Sequence, residues 1–304
     1  MPGRVLVTGI TGFAGRYLAR RLRDAGYEVA GLAAVEHDLG ELADLASDLH
    51  RVNLLDTARL TEIVVSVAPT HVVHLAAISF VGHQNVAELY GTNIVGTRNL
   101  LQALTGLSNR PRNVLLTSSA NIYGNSDRAV LDEDAPPAPA NDYAVSKIAM
   151  EYMAAQFRDR LPITICRPFN YTGIGQSETF LIPKIVNHFR RREKRIALGN
   201  IEISRDFSDV RTVVDYMARL MESPAARGHV YNICSGRAHS LRYVLDTCAR
   251  LTGHNISIVV NPDLIRANEV TTLRGDPARL HEAVGRAEEH EFDDTLSWML
   301  RAPG

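Results

Sequence analysis

The segment RVLVTGITGFAGRYLARRL, residues 4–22, runs from an apolar strand over 5–8 into glycines at 9, 12 and 15 and then into an amphipathic helix that turns Leu18 and Leu22 inward. A strand, a glycine turn and a helix start in that order make an anion site. Glycines let the backbone approach a pyrophosphate, and the first turn of the helix offers unpaired N–H groups and the positive end of its dipole. The spacing is GxxGxxG, not the GxGxxG of the usual dinucleotide fingerprint. A turn that merely reversed the chain would need neither the strand nor the helix, so the segment predicts dinucleotide binding in an α/β fold.

Outward from that segment, apolar runs over 29–32, 71–75, 113–118 and 163–167 alternate with long helical patterns, notably 86–104 and 142–160. The alternation predicts a Rossmann-like, doubly wound parallel sheet covered on both faces. The proline-rich stretch DEDAPPAPAND, residues 132–142, reads as a short, stiff surface connection. After Arg167 the pattern loosens into loops, a helix from Ile182 and a few strands. VYNIC at 230–234 reads as a buried strand returning to the main sheet. The expected organisation is a dinucleotide-binding part over 1–168, with the returning strand near 229–235, and a smaller, interleaved substrate-binding lobe over 169–304.

Composition bounds the partners. The 304 residues carry 33 basic and 34 acidic side chains, a net charge of −1, which points to neither a nucleic-acid nor a membrane surface. The one dense basic run, RRREK at 190–194, follows a helical pattern and reads as its solvated last turn. Cys166, Cys234 and Cys248 are odd in number and widely spaced, as small core residues of a reducing compartment would be. The first strand begins almost at once and no apolar run reaches membrane-spanning length, which predicts a cytoplasmic protein. Eleven histidines include no HxxxH or HExxH spacing, so no metal site is expected.

NDYAVSKIAM, residues 141–150, places Tyr143 and Lys147 one helical turn apart. A close ammonium favours phenolate, so the pair can build an acid or base for a hydroxyl or carbonyl oxygen, although YxxxK also arises by chance. Together with the glycine pattern, HLAA at 74–77 and TSSANIYG at 117–124, it resembles the extended short-chain dehydrogenase/reductase superfamily over nearly the whole chain. RPFNYTGIGQSETF (167–180), LGNIEISRDFSDV (198–210), VYNICSG (230–236) and RANEVTTLRGDPARL (266–280) resemble the enzymes of GDP-6-deoxyhexose metabolism, both the GDP-mannose 4,6-dehydratases and the GDP-4-keto-6-deoxy-sugar reductases that make GDP-rhamnose.

The resemblance implies a catalytic set of Ser119, Tyr143 and Lys147, with Asn93 supporting the lysine. Ser119 orients the reacting oxygen, Tyr143 exchanges the proton, and Lys147 binds the nicotinamide ribose. It implies cofactor contacts from Gly9, Thr11, Gly12, Phe13, Ala14, Gly15, Asn53, Leu54, Leu75, Ala76, Ala77, Asn93, Thr117, Tyr143, Lys147 and Pro168. Asn53 stands where relatives usually carry Asp. At the end of the second strand, Ala33 and Ala34 occupy the place of an acid that would repel a 2′-phosphate, and no arginine stands nearby in sequence. NADP is therefore favoured and NAD remains open. Substrate contacts are implied for Ser79, Val81, Ser119, Asn121, Asn170, Arg205, Arg266 and Glu269. Of these, Asn170 and Arg205 match residues that hold the sugar-nucleotide pyrophosphate. Without the resemblance, Arg205 beside Asp206 reads as an internal ion pair.

One departure bears on the reaction. The dehydratases carry a glutamate two positions after the catalytic hydroxyl to take a proton from carbon 5; here that position is Asn121, and an amide is no base. Reduction of a GDP-4-keto-6-deoxyhexose is the favoured activity, with a GDP-sugar as the small-molecule partner. A nucleotide-sugar 4-epimerase, a GDP-mannose 4,6-dehydratase and a non-catalytic dinucleotide sensor are the alternatives. Val95, Leu100, Leu101, Leu104, Met150, Met153 and Phe157 give the two long helices more than one apolar face, and superfamily relatives pair these helices across a twofold axis. A homodimer is expected.

Overall fold

A computed structural model describes residues 3–42, 44–262 and 270–302. In chain order the elements are β1 (Arg4–Thr8), α1 (Phe13–Asp24), β2 (Glu28–Ala33), β3 (Asp48–Arg51), α2 (Thr57–Val67), β4 (His71–His74), α3 (Val86–Tyr90), α4 (Thr97–Thr105), β5 (Asn113–Thr117), α5 (Asp142–Ala155), β6 (Ile163–Pro168) and β7 (Asn170–Thr172). They continue with α6 (Leu181–Arg190), β8 (Arg195–Leu198), β9 (Ser204–Asp209), α7 (Val210–Glu222), β10 (Val230–Ile233), β11 (Ala238–Ser240), α8 (Leu241–Thr252), β12 (Ser257–Val260), β13 (Thr272–Leu273), α9 (Ala278–Val284) and α10 (Phe292–Leu300).

Among the described residues the main sheet has seven strands in the order β3-β2-β1-β4-β5-β6-β10, all parallel. The order reverses between β1 and β4, which opens a crevice at the carboxyl ends of those strands. The α/β doubly wound architecture is as the sequence predicts, while the short edge strand β3 goes beyond that reading. Its residues are only half-buried, and so lack the continuous apolar run that marks the inner strands. Helices α1 and α7 cover one face through Leu18, Leu22, Val213 and Met217; α2, α4 and α5 cover the other through Leu60, Val64, Leu101 and Met150. The second lobe packs α6, α8 and α10 over β8 and β9 around Ile185, Phe189, Val244 and Leu296. Although α7 and β10 lie late in the chain, both pack into the main sheet unit.

The helix expected over 86–104 is continuous in direction but not in winding. Gly91–Gly96 forms a π-helical turn between α3 and α4. A Cβ on Gly96 would come within 2.8 Å of Leu54, so the close passage of this turn over Leu54 needs glycine. The helix expected over 142–160 ends at Ala155, because the following turn folds Phe157 and Leu161 into the core ahead of Pro162. Nor is 132–142 simply a surface connection: Glu133 and Ala135 are buried, and the Glu133 carboxylate accepts the backbone N–H of Asn232 at 2.7 Å.

That last contact belongs to a buried polar cluster joining α5 to β6 and β10 of the main sheet. The Arg167 guanidinium grips Glu151 bidentately at 3.0 and 2.7 Å, and donates to Tyr123 Oη at 2.9 Å and to the Glu133 carbonyl at 3.0 Å. Tyr123 in turn donates to Asn232 Oδ1 on β10 at 2.7 Å. Removing one partner of such a pair strands a buried charge. Glu151→Ala should destabilise the fold by about 3 to 5 kcal/mol. Adding Arg167→Met should recover part of that loss, read as a higher unfolding midpoint for the double variant than for the single one. A single variant as stable as the parent would show that the pair contributes nothing.

Candidate active site

The glycine turn after β1 is shaped as a backbone cradle. Gly9 has φ +69°, and a Cβ there would lie 2.8 Å from the Ala76 backbone, so β1 and the segment after β4 touch through backbone alone. A side chain on Gly15 would collide with Ile10 at 2.8 Å. Helix α1 starts from Gly12 with no side-chain cap, unlike α2, α5 and α8, which are capped by Asp56, Asn141 and Ser240. Its first N–H groups are left for a ligand, as a dinucleotide pyrophosphate requires. Thr11, Phe13 and Ala14 share this turn. Leu75, Ala76 and Ala77 follow β4 directly, with Leu75 N–H donating to the Thr8 carbonyl at 3.1 Å. Thr117 and Pro168 end β5 and β6. Beyond β3, Asn53 is exposed, its Oδ1 accepting from Leu55 N–H at 2.9 Å, while Leu54 is buried under the π-helical turn.

At the end of β2 the structure adds what sequence order hides. Thr11, Arg16, His37 and Asp38 line a cavity of about 250 Å³ beside the glycine turn. Thr11 Oγ1 meets His37 Nδ1 at 2.6 Å, and Arg16 Nε donates to the Thr11 carbonyl at 3.1 Å. An arginine is therefore at hand, contrary to the linear reading, because α1 folds back beside β2. So is an acid, Asp38, five residues past the strand end. The pocket thus offers groups for ribose hydroxyls and for a 2′-phosphate alike.

The residues expected to react lie at and beside the carboxyl ends of β5 and β6. Asn141 caps α5 by accepting from Ala144 N–H at 2.9 Å, which fixes the first turn carrying Tyr143. Tyr143 and Lys147 are both buried, and Lys147 Nζ lies 5.9 Å from the tyrosine ring centre. Nζ donates to the Thr117 carbonyl at 2.8 Å. Burial pulls the Lys147 pKa down to about 8, with Cys166 and Glu151 working against it. Tyr143 departs from the sequence expectation: burial raises its pKa, and the opposing influence is a hydrogen bond from Ser119. In this state Tyr143 holds its proton, as a general acid must.

Ser119 ends in extended backbone and starts the short turn Ala120–Tyr123, its Oγ accepting from the backbone N–H and from Nδ2 of Asn121, each at 3.2 Å. Asn93 lies in the π-helical turn, 1 % exposed, so it is no surface residue. Its side chain binds the Ile78 backbone at both ends, at 2.9 and 3.1 Å, and donates to Ser146 Oγ at 2.9 Å. It braces the loop after β4 against α5, a more indirect support of Lys147 than contact.

The other residues expected at the substrate are divided between the loop after β4 and the second lobe. Ser79 and Val81 lie on the loop after β4, where the Phe80 ring meets Phe180, just before α6, edge to face at 6.4 Å. Asn170 on β7 and Arg205 on β9 sit on paired strands, Asn170 Nδ2 reaching the Asp206 carbonyl at 3.5 Å. Arg205 donates to the carbonyls of Ser204, Val270 and Thr271. The neighbouring Asp206 carboxylate is held by the Ser235 and Gly236 N–H groups at 2.8 and 2.9 Å and by Ser235 Oγ at 2.7 Å. Arg266 and Glu269 lie outside the described residues. Sequence reasoning passed over Tyr171, which stacks on Phe13 of the glycine turn at 6.0 Å and whose hydroxyl is pushed up by burial and by nearby Tyr143. Its place within RPFNYTG, beside Asn170, was the available signal.

Comparison with known proteins agrees with this geometry. The family description GDP-mannose 4,6 dehydratase matches residues 6–299. The chain is 34% identical to a GDP-6-deoxy-D-talose 4-dehydrogenase of Aggregatibacter actinomycetemcomitans, over 93% of this chain and 91% of that protein. It is 33% identical to a GDP-6-deoxy-D-mannose reductase of Pseudomonas aeruginosa, over 99% and 97%. Among solved structures, an epimerase candidate from Burkholderia cenocepacia J2315 superposes with a TM-score of 0.92 at 49% identity, covering 98% of this chain and 96% of that one. RMD from Pseudomonas aeruginosa, complexed with NADPH, gives 0.83 at 32% identity, covering 99% and 97%. The chain is an extended short-chain dehydrogenase/reductase, a nicotinamide-dependent enzyme, and belongs to the GDP-mannose 4,6 dehydratase family.

Proposed function

We propose that this enzyme reduces the 4-keto group of a GDP-4-keto-6-deoxyhexose to a hydroxyl, with NADPH favoured over NADH, giving a GDP-6-deoxyhexose such as GDP-rhamnose. The observation that carries the reading is Asn121. The position from which a carbon 5 base would act holds an amide, hydrogen-bonded to Ser119, so the site has an acid and no base for dehydration. When bound, the reduced nicotinamide supplies the hydride. Its phosphates suit the uncapped start of α1, and its ribose suits Lys147. Ser119 orients the carbonyl oxygen and Tyr143 Oη gives it the proton, leaving a phenolate that the Lys147 charge stabilises. Asn170 and Arg205, with Arg266 and Glu269, are assigned to the sugar nucleotide. A 4-epimerase on the same residues is the second reading, favoured by the likeness to the epimerase candidate. We assign residues 1–168 with the strand at 230–233 to the cofactor and 169–304 to the substrate lobe. Three buried, unpaired cysteines fit a cytoplasmic setting.

The dimer reading changes its basis. Leu100, Leu101, Leu104, Met150, Met153 and Phe157 are all covered within the chain, because α4 and α5 pack on each other and on the sheet. What remains exposed is Val95 on the π-helical turn and, seven residues apart on one face of α5, Val145 and two-thirds-exposed Tyr152. We place the twofold interface there. Light scattering at micromolar concentration should report a dimer that Tyr152→Glu with Val95→Glu dissociates; a parent that is monomeric refutes it.

The charge on Lys147 should appear in the pH profile. A lysine with a pKa of about 8 is charged below that pH and neutral above it, while Tyr143, pushed upward, is still protonated there. kcat/KM for reduction should therefore fall as pH rises through about 8, and a flat profile to pH 10 would exclude this role.

The decisive experiment is product analysis by NMR. Given GDP-4-keto-6-deoxymannose and NADPH, the protein should consume one cofactor per sugar and form a 4-hydroxyl product. Given GDP-mannose and oxidised cofactor, it should accumulate no 4-keto-6-deoxy sugar. Dehydration at ordinary enzymatic rates would overturn the reading, and interconversion of 4-epimers without net cofactor use would select the epimerase.

A further inference from the structure

Helix α1 reaches across the seam between the two lobes with a row of aromatic side chains. Phe13, Tyr17 and Tyr171 pack on the core of the main sheet, whereas Ile174 and Trp298 pack on the core of the second lobe. The two groups meet in one continuous contact. The Phe13 ring stacks on Tyr171 at 6.0 Å and meets Tyr17 edge to face at 5.6 Å; Tyr17 in turn meets Trp298 edge to face at 6.4 Å, and its hydroxyl donates to the Ile174 carbonyl at 2.7 Å. Gly173 lies among the same rings, where a Cβ would come within 3.2 Å of Trp298 and 3.4 Å of Phe13, so the seam has no slack. On its other side the Trp298 indole is covered by the Arg211 guanidinium at 3.9 Å. Segment 171–174, which continues from Asn170 on β7, is thus held by α1 at both ends.

Phe13 also opens α1, at the uncapped helix start suited to phosphate oxygens. A ligand drawn onto those N–H groups acts on the residue that carries the stack, and a close-packed ring cannot shift without moving its neighbours. We propose that Phe13 and Tyr17 are positioning residues that couple occupancy of the dinucleotide site to strand β7, and through Asn170 to the sugar-nucleotide site. Each ligand then tightens the other by the same factor, as linkage requires. The coupling needs no contact between the ligands themselves. Rings that served only to glue the lobes together would do so equally in the empty and the occupied protein. The sugar-nucleotide end of this coupling rests on the function proposed above; the link from the glycine turn to Trp298 does not.

Trp298 is the single tryptophan of the chain, so its fluorescence reports on this seam without a label. In the full-length protein, oxidised cofactor, NADP+ or NAD+ as calorimetry selects, should change the tryptophan emission saturably, with a midpoint that matches the calorimetric Kd. Tyr17→Leu removes the middle ring and the bond to Ile174. It should bind the cofactor with little change in Kd and lose the emission response. GDP probes the other end: its Kd should fall about tenfold when the cofactor is bound to the parent protein. Tyr17→Leu should bring that factor to one, and Tyr17→Phe, which keeps the ring and loses only the hydrogen bond, should lower it part-way. An emission that ignores the cofactor in the parent, or a response undiminished in Tyr17→Leu, overturns the proposal. So does a GDP factor of one in the parent or a parental factor in Tyr17→Phe, the variant that preserves the packing should Tyr17→Leu not fold. If GDP binds in neither state, the sugar-nucleotide reading fails, and the emission response still decides the link from the glycine turn to the second lobe.

Discussion

A buried run of hydrogen bonds through His74 ties together the three segments that define the crevice. Ala76 N–H donates to Thr8 Oγ1 at 3.1 Å, Thr8 Oγ1 meets His74 Nδ1 at 2.7 Å, His74 Nε2 meets Thr97 Oγ1 at 2.9 Å, and Thr97 donates to the Asn93 carbonyl at 2.7 Å. Thr97 spends its one proton on Asn93, so Nε2 must carry the imidazole proton and Nδ1 must accept from Thr8. Burial, with the charge of Lys147, holds the His74 pKa at about 3, and the ring stays neutral at any working pH. Its single tautomer fixes β1 to β4 and both to the π-helical turn. The backbone contact between Gly9 and Ala76 sits at the same junction. If these segments shifted apart, the glycine turn and the loop braced by Asn93 would both be displaced.

Helix α5 packs against α3, α4 and the π-helical turn of this junction. Tyr143, Lys147 and Glu151 follow one another at four-residue spacing along one side of it, so the buried phenol, the lysine and the carboxylate gripped by Arg167 share a single rigid element. Glu151 partly offsets the effect of burial on Lys147. The same carboxylate, through Arg167, Tyr123 and Asn232, reaches β10, the strand that returns to the main sheet after much of the second lobe has been built. Structural and electrostatic functions thus meet in one buried pair. Such a pair earns its place through the geometry it enforces more than through net stability.

How much was legible varied with the kind of interaction. The glycine turn, the inner strands and the Tyr143–Lys147 helix were readable because each is a local pattern with a local cause: backbone freedom, an apolar run, a helical turn. Asn93 was legible as a support of Lys147, but the π-helical turn that carries it was not, since such a turn departs from the 3.6-residue period that sequence patterns reveal. The apolar residues of α4 and α5 read as an uncovered face because periodicity counts apolar positions without showing what packs on them. Arg16 and Asp38 stand far apart in the chain and became neighbours only when α1 folded back along β2.

The sequence by itself determined the fold class, the glycine turn and the Tyr143–Lys147 pair, for these depend on residues within a few positions of one another. It also determined that no carboxylate stands at position 121. Only the tertiary structure decided the state of those groups. Tyr143 has its pKa raised, not lowered, because burial strips the phenol of water, and burial is a property of the whole fold. The contact of Asn121 with Ser119 Oγ likewise depends on the short turn that folds the two together. Spacing along a chain specifies which groups can meet; burial and hydrogen-bond partners, which are non-local, decide which of them holds the proton.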